Sequence, residues 1–319
     1  MLVLVTGGSG FIGSNLVDAL RQAGHSVRVI DNFSTGKQEF LRNAASDREV
    51  EVIKGDLLNT LMVERAVAGV DAVVHLAANA DVRFGWNHPR RDVEQNVVAT
   101  QNVLEAMRIH GVKRVLFSST GSVYGESQTV PTPEDAPFPV QTSLYGASKS
   151  AAEGLLAAYA EAGVVSASVF RFVSILGPRY THGHVIDFIA QLTRDPGRLR
   201  VLGDGRQRKS YLHVSDCIGA ILLRLSADPG FEVLNLGADE YCEVNDSVGW
   251  IIERMGLSPI VHHTGGQRGW VGDSPFIFLN TERIRSFGWQ PTYTIRAAVE
   301  DTVDWIRAND WILSAAIVD

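Results

Sequence analysis

Tyr145 and Lys149, in the segment Tyr-Gly-Ala-Ser-Lys, stand four residues apart. On a helix that spacing puts both side chains on one face. An ammonium beside a phenol favours the phenolate, so the pair is expected to draw the Tyr145 pKa toward neutrality and make Tyr145 a general base. Taken alone, Tyr-x-x-x-Lys is a frequent surface pair on helices. Its weight comes from the start of the chain, where Gly7, Gly10 and Gly13 form a G-x-x-G-x-x-G loop. The loop follows an apolar strand (residues 2–5) and opens a helix of apolar periodicity (residues 11–20). Glycines there allow a tight turn, a close backbone approach to a ligand and the packing of helix on sheet. The helix start, with free N–H groups and a positive dipole end, suits a pyrophosphate.

A second strand (residues 26–30) ends in Asp31. A carboxylate at that distance from the loop can accept hydrogen bonds from both ribose hydroxyls of an adenosine and would repel a 2′-phosphate. NAD is therefore the expected dinucleotide. Small residues at Ala77-Ala78-Asn79, after a fourth strand, would let the cofactor's backbone come close.

These residues need a scaffold. The chain has 319 residues, 45% hydrophobic and 20% charged, enough for one large core with a smaller annexe. With 36 acidic against 29 basic residues and no basic run, non-specific nucleic-acid binding is not expected. Cys217 and Cys242 are the only cysteines and form no C-x-x-C pair, so neither a disulfide framework nor a structural zinc is expected. The chain opens directly on its first strand, so no signal peptide is expected, and no apolar run approaches the roughly 18 residues of a membrane span. A cytoplasmic location is expected.

Further strands are expected at residues 50–54, 71–76, 114–118 and 164–172. Helices are expected at 92–110, with Val93, Val97, Val103, Leu104 and Met107 as its apolar positions, and at 143–162. Residues 32–47 read as irregular. Alternation of strands and helices implies right-handed crossovers and an α/β fold with a doubly wound parallel sheet. From about Gly177 the pattern loosens, broken by Pro178, Pro196, Gly203 and Gly205. The expected division is residues 1–176 and a smaller, interleaved C-terminal α/β domain, 177–319, closing over ligands at the carboxyl ends of the strands. Residues 308–319 carry no clear signal. His262-His263 read as a surface loop, so no metal site is expected. Asp81 and Arg83 either face the substrate or form a surface ion pair, and His182 and His184 flank Gly183 in a presumed substrate loop. Trp86, Trp250, Trp270, Trp289, Trp305 and Trp311 are mostly expected to pack.

The chain resembles the extended short-chain dehydrogenase/reductases, in particular the NAD-dependent nucleotide-sugar epimerase and dehydratase group. The likeness runs through the Gly7, Gly10 and Gly13 loop, Asp31, Gly55-Asp56-Leu57, Leu76-Ala77-Ala78, Ser-Ser-Thr-Gly-Ser-Val-Tyr-Gly (118–125), Tyr145 with Lys149, and Gly203-Asp204-Gly205. The segments at 177–183, 208–212 and 268–273 are most similar to the archaeal-type UDP-galactose (UDP-glucose) 4-epimerases. The resemblance implies a Rossmann-type NAD domain followed by a nucleotide-sugar domain. It makes Thr120 the hydroxyl on the sugar oxygen that is oxidised, Tyr145 the base, and Lys149 its partner and a ribose contact. It places Gly7, Gly10, Phe11, Ile12, Gly13, Asp31, Asn32, Ser34, Gly36, Asp56, Leu57, Leu76, Ala77, Ala78, Asn96, Ser118, Tyr145, Lys149 and Phe172 at the cofactor. Arg83, Thr120, Ser122, Tyr145, Ser174, Lys209 and Arg268 are placed at the substrate, the last two at its diphosphate.

Where the dehydratases of the group carry Asp-Glu after the threonine, this chain has Gly121-Ser122, which cannot exchange protons at useful pKa values. Dehydration by that route is not expected, nor is decarboxylation, since the group's decarboxylases need a Glu at the Ser122 position. Oxidation and re-reduction at one carbon remains, which implies 4-epimerisation of a UDP-sugar through a transient 4-keto sugar, with retained NAD. Ser174 stands where the group commonly has Asn, and Lys209-Ser210 where it has Arg-Asp, which leaves the sugar open between glucose/galactose, N-acetylhexosamines and uronic acids. Alternatives are a nucleotide-sugar 4-ketoreductase and a non-catalytic NAD-binding regulator. The group also implies a homodimer through the helices at 92–110 and 143–162, with Leu155, Leu156 and Tyr159 supplying apolar positions.

Overall fold

A computed structural model describes residues 1–79, 85–137, 140–270 and 273–316. Arg83 and Asp81 lie outside the described residues. Alternation of side chains along the first strand, β1 (Leu2–Thr6), sets the architecture: Val3 and Val5 face one apolar cluster and Leu4 the other. A strand buried on both faces belongs in the middle of a sheet covered by helices on each side. β1 accordingly sits between β2 (Ser26–Asp31) and β4 (Ala72–His75), with β3 (Val50–Lys54) beyond β2. On the other side follow β5 (Arg114–Thr120), β6 (Ser166–Phe172) and a seventh strand, Phe231–Leu236. All pairings in this sheet are parallel. The seventh strand comes from the C-terminal part of the chain, so the two parts interleave within one sheet.

The first helix, α1 (Phe11–Gln22), buries Leu16, Val17 and Leu20 on one face of the sheet. The other face is covered by α2 (Thr60–Val67), capped by the Asn59 side chain, and by two longer helical segments. The predicted helix at 92–110 begins earlier, as α3 (Pro89–Asp92). It passes through a π-helical stretch, Val93–Val98, and ends as α4 (Ala99–His110). The wider π turn carries Asp92 and Asn96 inward and leaves Val93 exposed, against the expectation that Val93 packs. α5 (Leu144–Glu161) is capped by Ser143, whose Oγ accepts the Gly146 N–H at 3.0 Å. Leu156 is fully buried against the sheet and is not available as an outward apolar position.

Residues 32–47 are not merely irregular. Two 3₁₀ turns, Gln38–Leu41 and Ala44–Ser46, bury Phe40, Leu41 and Ala44, with Phe40 at 5.9 Å from Trp305 and 5.8 Å from Trp311. The partners lie at the far end of the chain, beyond the reach of a local pattern. β7 (Ser174–Leu176) pairs in parallel with Tyr211–His213. Arg208–Lys209 pairs with both Cys242–Glu243 and Phe276–Ile277. His262 and His263 lie on an exposed strand, Ile260–His263, rather than a loop. Trp289 is buried, Trp250 and Trp305 pack against the core and Trp311 packs on Phe40 although partly exposed, whereas Trp86 and Trp270 are exposed. Near the C-terminus, Ile312 and Leu313 are buried in a segment that carried no sequence signal. No helix among the described residues is long and apolar enough to cross a membrane.

Candidate active site

The carboxyl ends of β1, β2, β4 and β5 meet at one edge of the sheet, and the sequence-selected residues gather there. After β1 the chain turns at Gly7, with φ +69°, where a Cβ would lie 2.8 Å from the Ala77 nitrogen. At Gly13 a Cβ would lie 2.2 Å from the Gly7 carbonyl oxygen, so any side chain would push α1 off the loop. Gly10 caps α1 in extended geometry with no side chain on the first N–H groups. The hydroxyl of Ser9 is fully buried in the same loop with no partner among the described residues. Free helix N–H groups, a glycine cradle and an orphaned hydroxyl are what a bound pyrophosphate would satisfy.

Asp31 is nearly buried at the end of β2, and its two carboxylate oxygens accept the Ser9 and Phe33 N–H groups at 2.9 and 2.8 Å. A carboxylate has about four lone-pair positions, so one on each oxygen remains for ribose hydroxyls. Asn32 donates to Asp56 at 3.1 Å, and its own carbonyl accepts the Ser34 N–H at 3.0 Å, which orders the turn beside Leu57. Gly36 packs against Ser9, since a Cβ there would overlap its hydroxyl. The Leu76-Ala77 turn hangs from Thr6, whose carbonyl and hydroxyl accept the Leu76 and Ala77 N–H groups, each at 3.2 Å.

Thr120 ends β5 and caps the following 3₁₀ turn, its hydroxyl accepting the Ser122 N–H at 3.1 Å and donating to the Ser122 hydroxyl at 3.2 Å. Tyr145 and Lys149 lie in the first turns of α5. Gly146 permits the juxtaposition: a Cβ there would come within 2.8 Å of the Ser122 carbonyl, so the helix start seats directly on the Thr120 turn. Lys149 is 2% exposed, and its ammonium donates to the Ser118 carbonyl at 2.8 Å and lies 4.6 Å above the Phe117 ring. The expected lowering of the Tyr145 pKa is not present in this state. Burial pushes the phenol up to about 12, reinforced by the Asp92 charge and opposed by the Thr120 hydroxyl. Burial also draws Lys149 down to about 7, against the pull of Glu153. The Lys149 ammonium donates to a backbone carbonyl.

Asn96 was expected at the cofactor, but its partners are decided by the fold, and His75 and Glu153 carried no sequence signal at all. Asn96, in the π stretch, accepts the Asn79 N–H at 2.8 Å and donates to Ser148, which bonds the Tyr145 carbonyl, so the turn after β4 is tied to α5. π stretches recur at functional sites because they re-aim side chains. His75 is buried between Thr6 and Thr100, at 2.7 and 3.0 Å, and burial draws its pKa to about 3, keeping it neutral. Glu153 takes a bidentate ion pair from Arg171 and a hydrogen bond from Ser119. His75 and Glu153 are single polar residues in largely apolar stretches. Only the tertiary pairing gives them partners.

The substrate side differs from expectation. Lys209, expected on a diphosphate, is held in an ion pair with Asp273 at 2.7 Å. Arg268 donates to the Asp273 carbonyl at 2.6 Å and pairs with Glu126 at 2.5 Å. Both cations already have oxygen partners, because Asp273 lies between them. Ser174 is exposed at the start of β7, and Phe172 pairs with Thr120 across β5 and β6. His184 bonds Ser247 at 2.8 Å and His182 stacks on Tyr180 at 6.3 Å.

Comparison with known proteins agrees with this geometry. The sequence profile described as the NAD dependent epimerase/dehydratase family matches residues 3–237. A putative UDP-glucose 4-epimerase of Methanocaldococcus jannaschii is 29% identical, with 97% of this chain and 99% of that protein aligned. The crystal structure of a UDP-galactose 4-epimerase superposes with TM-score 0.85 at 38% identity, covering 98% of this chain and 100% of the other. A UDP-glucuronic acid 4-epimerase from Bacillus cereus, solved with UDP-glucuronic acid and NAD, superposes with TM-score 0.89 at 26% identity, covering 97% and 100%. The fold and the full-length likeness agree, and the chain belongs to the NAD-dependent epimerase/dehydratase family.

Proposed function

We propose that this protein is an isomerase that interconverts the C4 epimers of a UDP-sugar of the glucose/galactose type, with NAD retained as its cofactor. The observation that carries the reading is the seating of Tyr145 and Lys149 on the Thr120 turn, with Gly121 and Ser122 where water-eliminating relatives need acid and base. In this reading the Gly7–Gly10–Gly13 cradle with Ser9 holds the pyrophosphate, Asp31 the adenosine ribose, and Asp56 and Leu57 border the adenine. NAD, when bound, supplies the hydride acceptor and donor and a positively charged ring. Thr120 and Tyr145 grip the sugar O4, and Tyr145, once ionised under the positive charge that Lys149 and the cofactor ring would bring to it, takes and returns its proton. Lys149, anchored on Ser118, lends positive charge and a donor for the nicotinamide ribose. Lys209 and Arg268 release Asp273 and Glu126 in favour of a diphosphate, and Arg268 can meet it with a two-pronged contact. Residues 177–319 contribute the nucleotide-sugar side.

The architecture shared with a UDP-glucuronic acid epimerase supports a second reading in which the sugar is a uronic acid. One experiment separates the two. Purified protein, with no added cofactor, is incubated with UDP-glucose, UDP-N-acetylglucosamine and UDP-glucuronate, and products are resolved chromatographically. The expected result is the 4-epimer of UDP-glucose and NAD in the denatured enzyme. Turnover of UDP-glucuronate alone would transfer the assignment to the uronate. No 4-epimer from any of them, with NAD shown to be present, would overturn the reading. A cytoplasmic homodimer is the assembly we propose.

A further inference from the structure

We propose that Glu153 is a positioning residue for Lys149: a carboxylate fixed one helical turn away, which offsets the burial of the ammonium without binding it. The inference rests on the proposed role of Lys149. Both residues are buried on α5 at the i,i+4 spacing that normally lets opposite charges meet. Here they do not pair. The Lys149 ammonium is bonded to the Ser118 carbonyl, whereas Glu153 is turned away onto Arg171, with bonds of 3.1 and 2.7 Å, and onto the Ser119 hydroxyl. Arg171 is itself fixed by the Tyr124 hydroxyl at 2.7 Å and the Glu134 carbonyl at 3.1 Å, and Tyr124 by Asn235 at 2.8 Å. The anchorage spans β5, α5, β6 and the seventh strand, so the carboxylate cannot swing onto the lysine.

That division of labour has a chemical reason. A carboxylate in contact with Lys149 would occupy the donors that a ribose and the phenol need. With no carboxylate nearby, burial alone would strip the proton. Held at a distance, Glu153 favours the ammonium through space and leaves its donors free. The other groups facing Lys149 do not substitute for it. His75, on β4, is kept neutral by burial, Tyr145 is a phenol in this state, and the Asp92 charge acts on Tyr145. From β5 come only the Ser118 carbonyl and the Phe117 ring. Ser119 and Ser118 are also consecutive with Thr120, so Glu153 and Lys149 together pin the strand end that presents the Thr120 hydroxyl.

The test compares wild type with Glu153→Gln and with the double variant Glu153→Gln/Arg171→Met, which removes both buried charges and avoids leaving Arg171 unpaired. The first readout is the pH profile of epimerisation. In Glu153→Gln its alkaline limb is expected to move about one unit lower, with kcat at pH 8 down about tenfold and KM within twofold, and in the double variant, which also loses the opposing Arg171 charge, it should move in the same direction by less. The second readout needs no activity. The thermal deficit of Glu153→Gln relative to wild type should be larger at pH 6, where Lys149 carries its proton, than at pH 9.5, where it does not. In a Lys149→Met background that difference should vanish. A pH profile superimposable on wild type, together with a thermal deficit independent of pH, would reduce Glu153 to a structural ion pair and overturn the proposal. Absence of epimerisation in the wild type would instead overturn the proposed function, and the thermal arm would still decide the role of Glu153.

Discussion

Tyr145 and Lys149 show how far residue chemistry depends on where a side chain points. Spacing alone predicts an ammonium beside a phenol. The folded chain instead directs the ammonium to the Ser118 carbonyl, and burial then moves the two pKa values in the directions that favour neutral groups. Tyr145 stands at the helix start that seats on the Thr120 turn, so its removal is the sharpest test at this scale. Tyr145→Phe should lower epimerisation by about 10²- to 10⁴-fold, the range for loss of a general base. NAD should remain bound, since the glycine cradle, Asp31 and Lys149 are untouched. The check is turnover assayed alongside the absorbance of cofactor released on denaturation; wild-type turnover would remove Tyr145 from the mechanism.

At the level of elements, the site is made by joints between secondary structures. The π stretch ties the turn after β4 to α5 through Asn79, Asn96 and Ser148. His75 ties β4 to β1 and α4 through Thr6 and Thr100, and Thr6 in turn holds the Ala77 side of the cradle. The joint has a pH signature. With a folded pKa near 3 against 6.5 unfolded, His75 takes a proton in the unfolded chain first, so stability is unaffected above pH 6.5 and falls as the pH drops below it. The slope is about 1.4 kcal/mol per pH unit, or roughly 2 kcal/mol between pH 6.5 and pH 5. His75→Asn should be less stable than wild type at pH 7 and should lose about that much less on going to pH 5. Urea unfolding at the two pH values measures it. Equal losses in the two proteins would show that His75 titrates normally.

On the scale of the whole molecule, the parallel sheet brings residues from positions 6 to 172 to one edge, while the strand Phe231–Leu236 stitches the C-terminal part into the same sheet. On the outer surface of the α3–α4 segment Val93 and Val98 are exposed and share a groove with Leu58. An apolar surface of this kind is what a second copy would cover. The protein should run at the dimer mass on gel filtration with light scattering, and Val93→Glu/Val98→Glu should shift it to the monomer. A wild-type monomer at both dilute and high concentration would refute the dimer.

Much of this was legible in the sequence. Strand period, the glycine loop and the Asp31 position are local signals, and they located the parallel sheet and its cradle because each depends on a few adjacent residues. Thr120, Tyr145 and Lys149 were equally legible as types at a spacing. The turning of Lys149 to Ser118, the capture of Lys209 and Arg268 around Asp273, the burial of Phe40 under Trp305 and Trp311, and the anchoring of Glu153 by Arg171 were not. Each joins residues distant in sequence whose energies depend on burial and orientation. The sequence by itself determined which chemistry this chain can carry, through residue types and their local geometry. Tertiary structure decided the charge states and partners of those residues, because only packing removes water and sets which donor faces which acceptor.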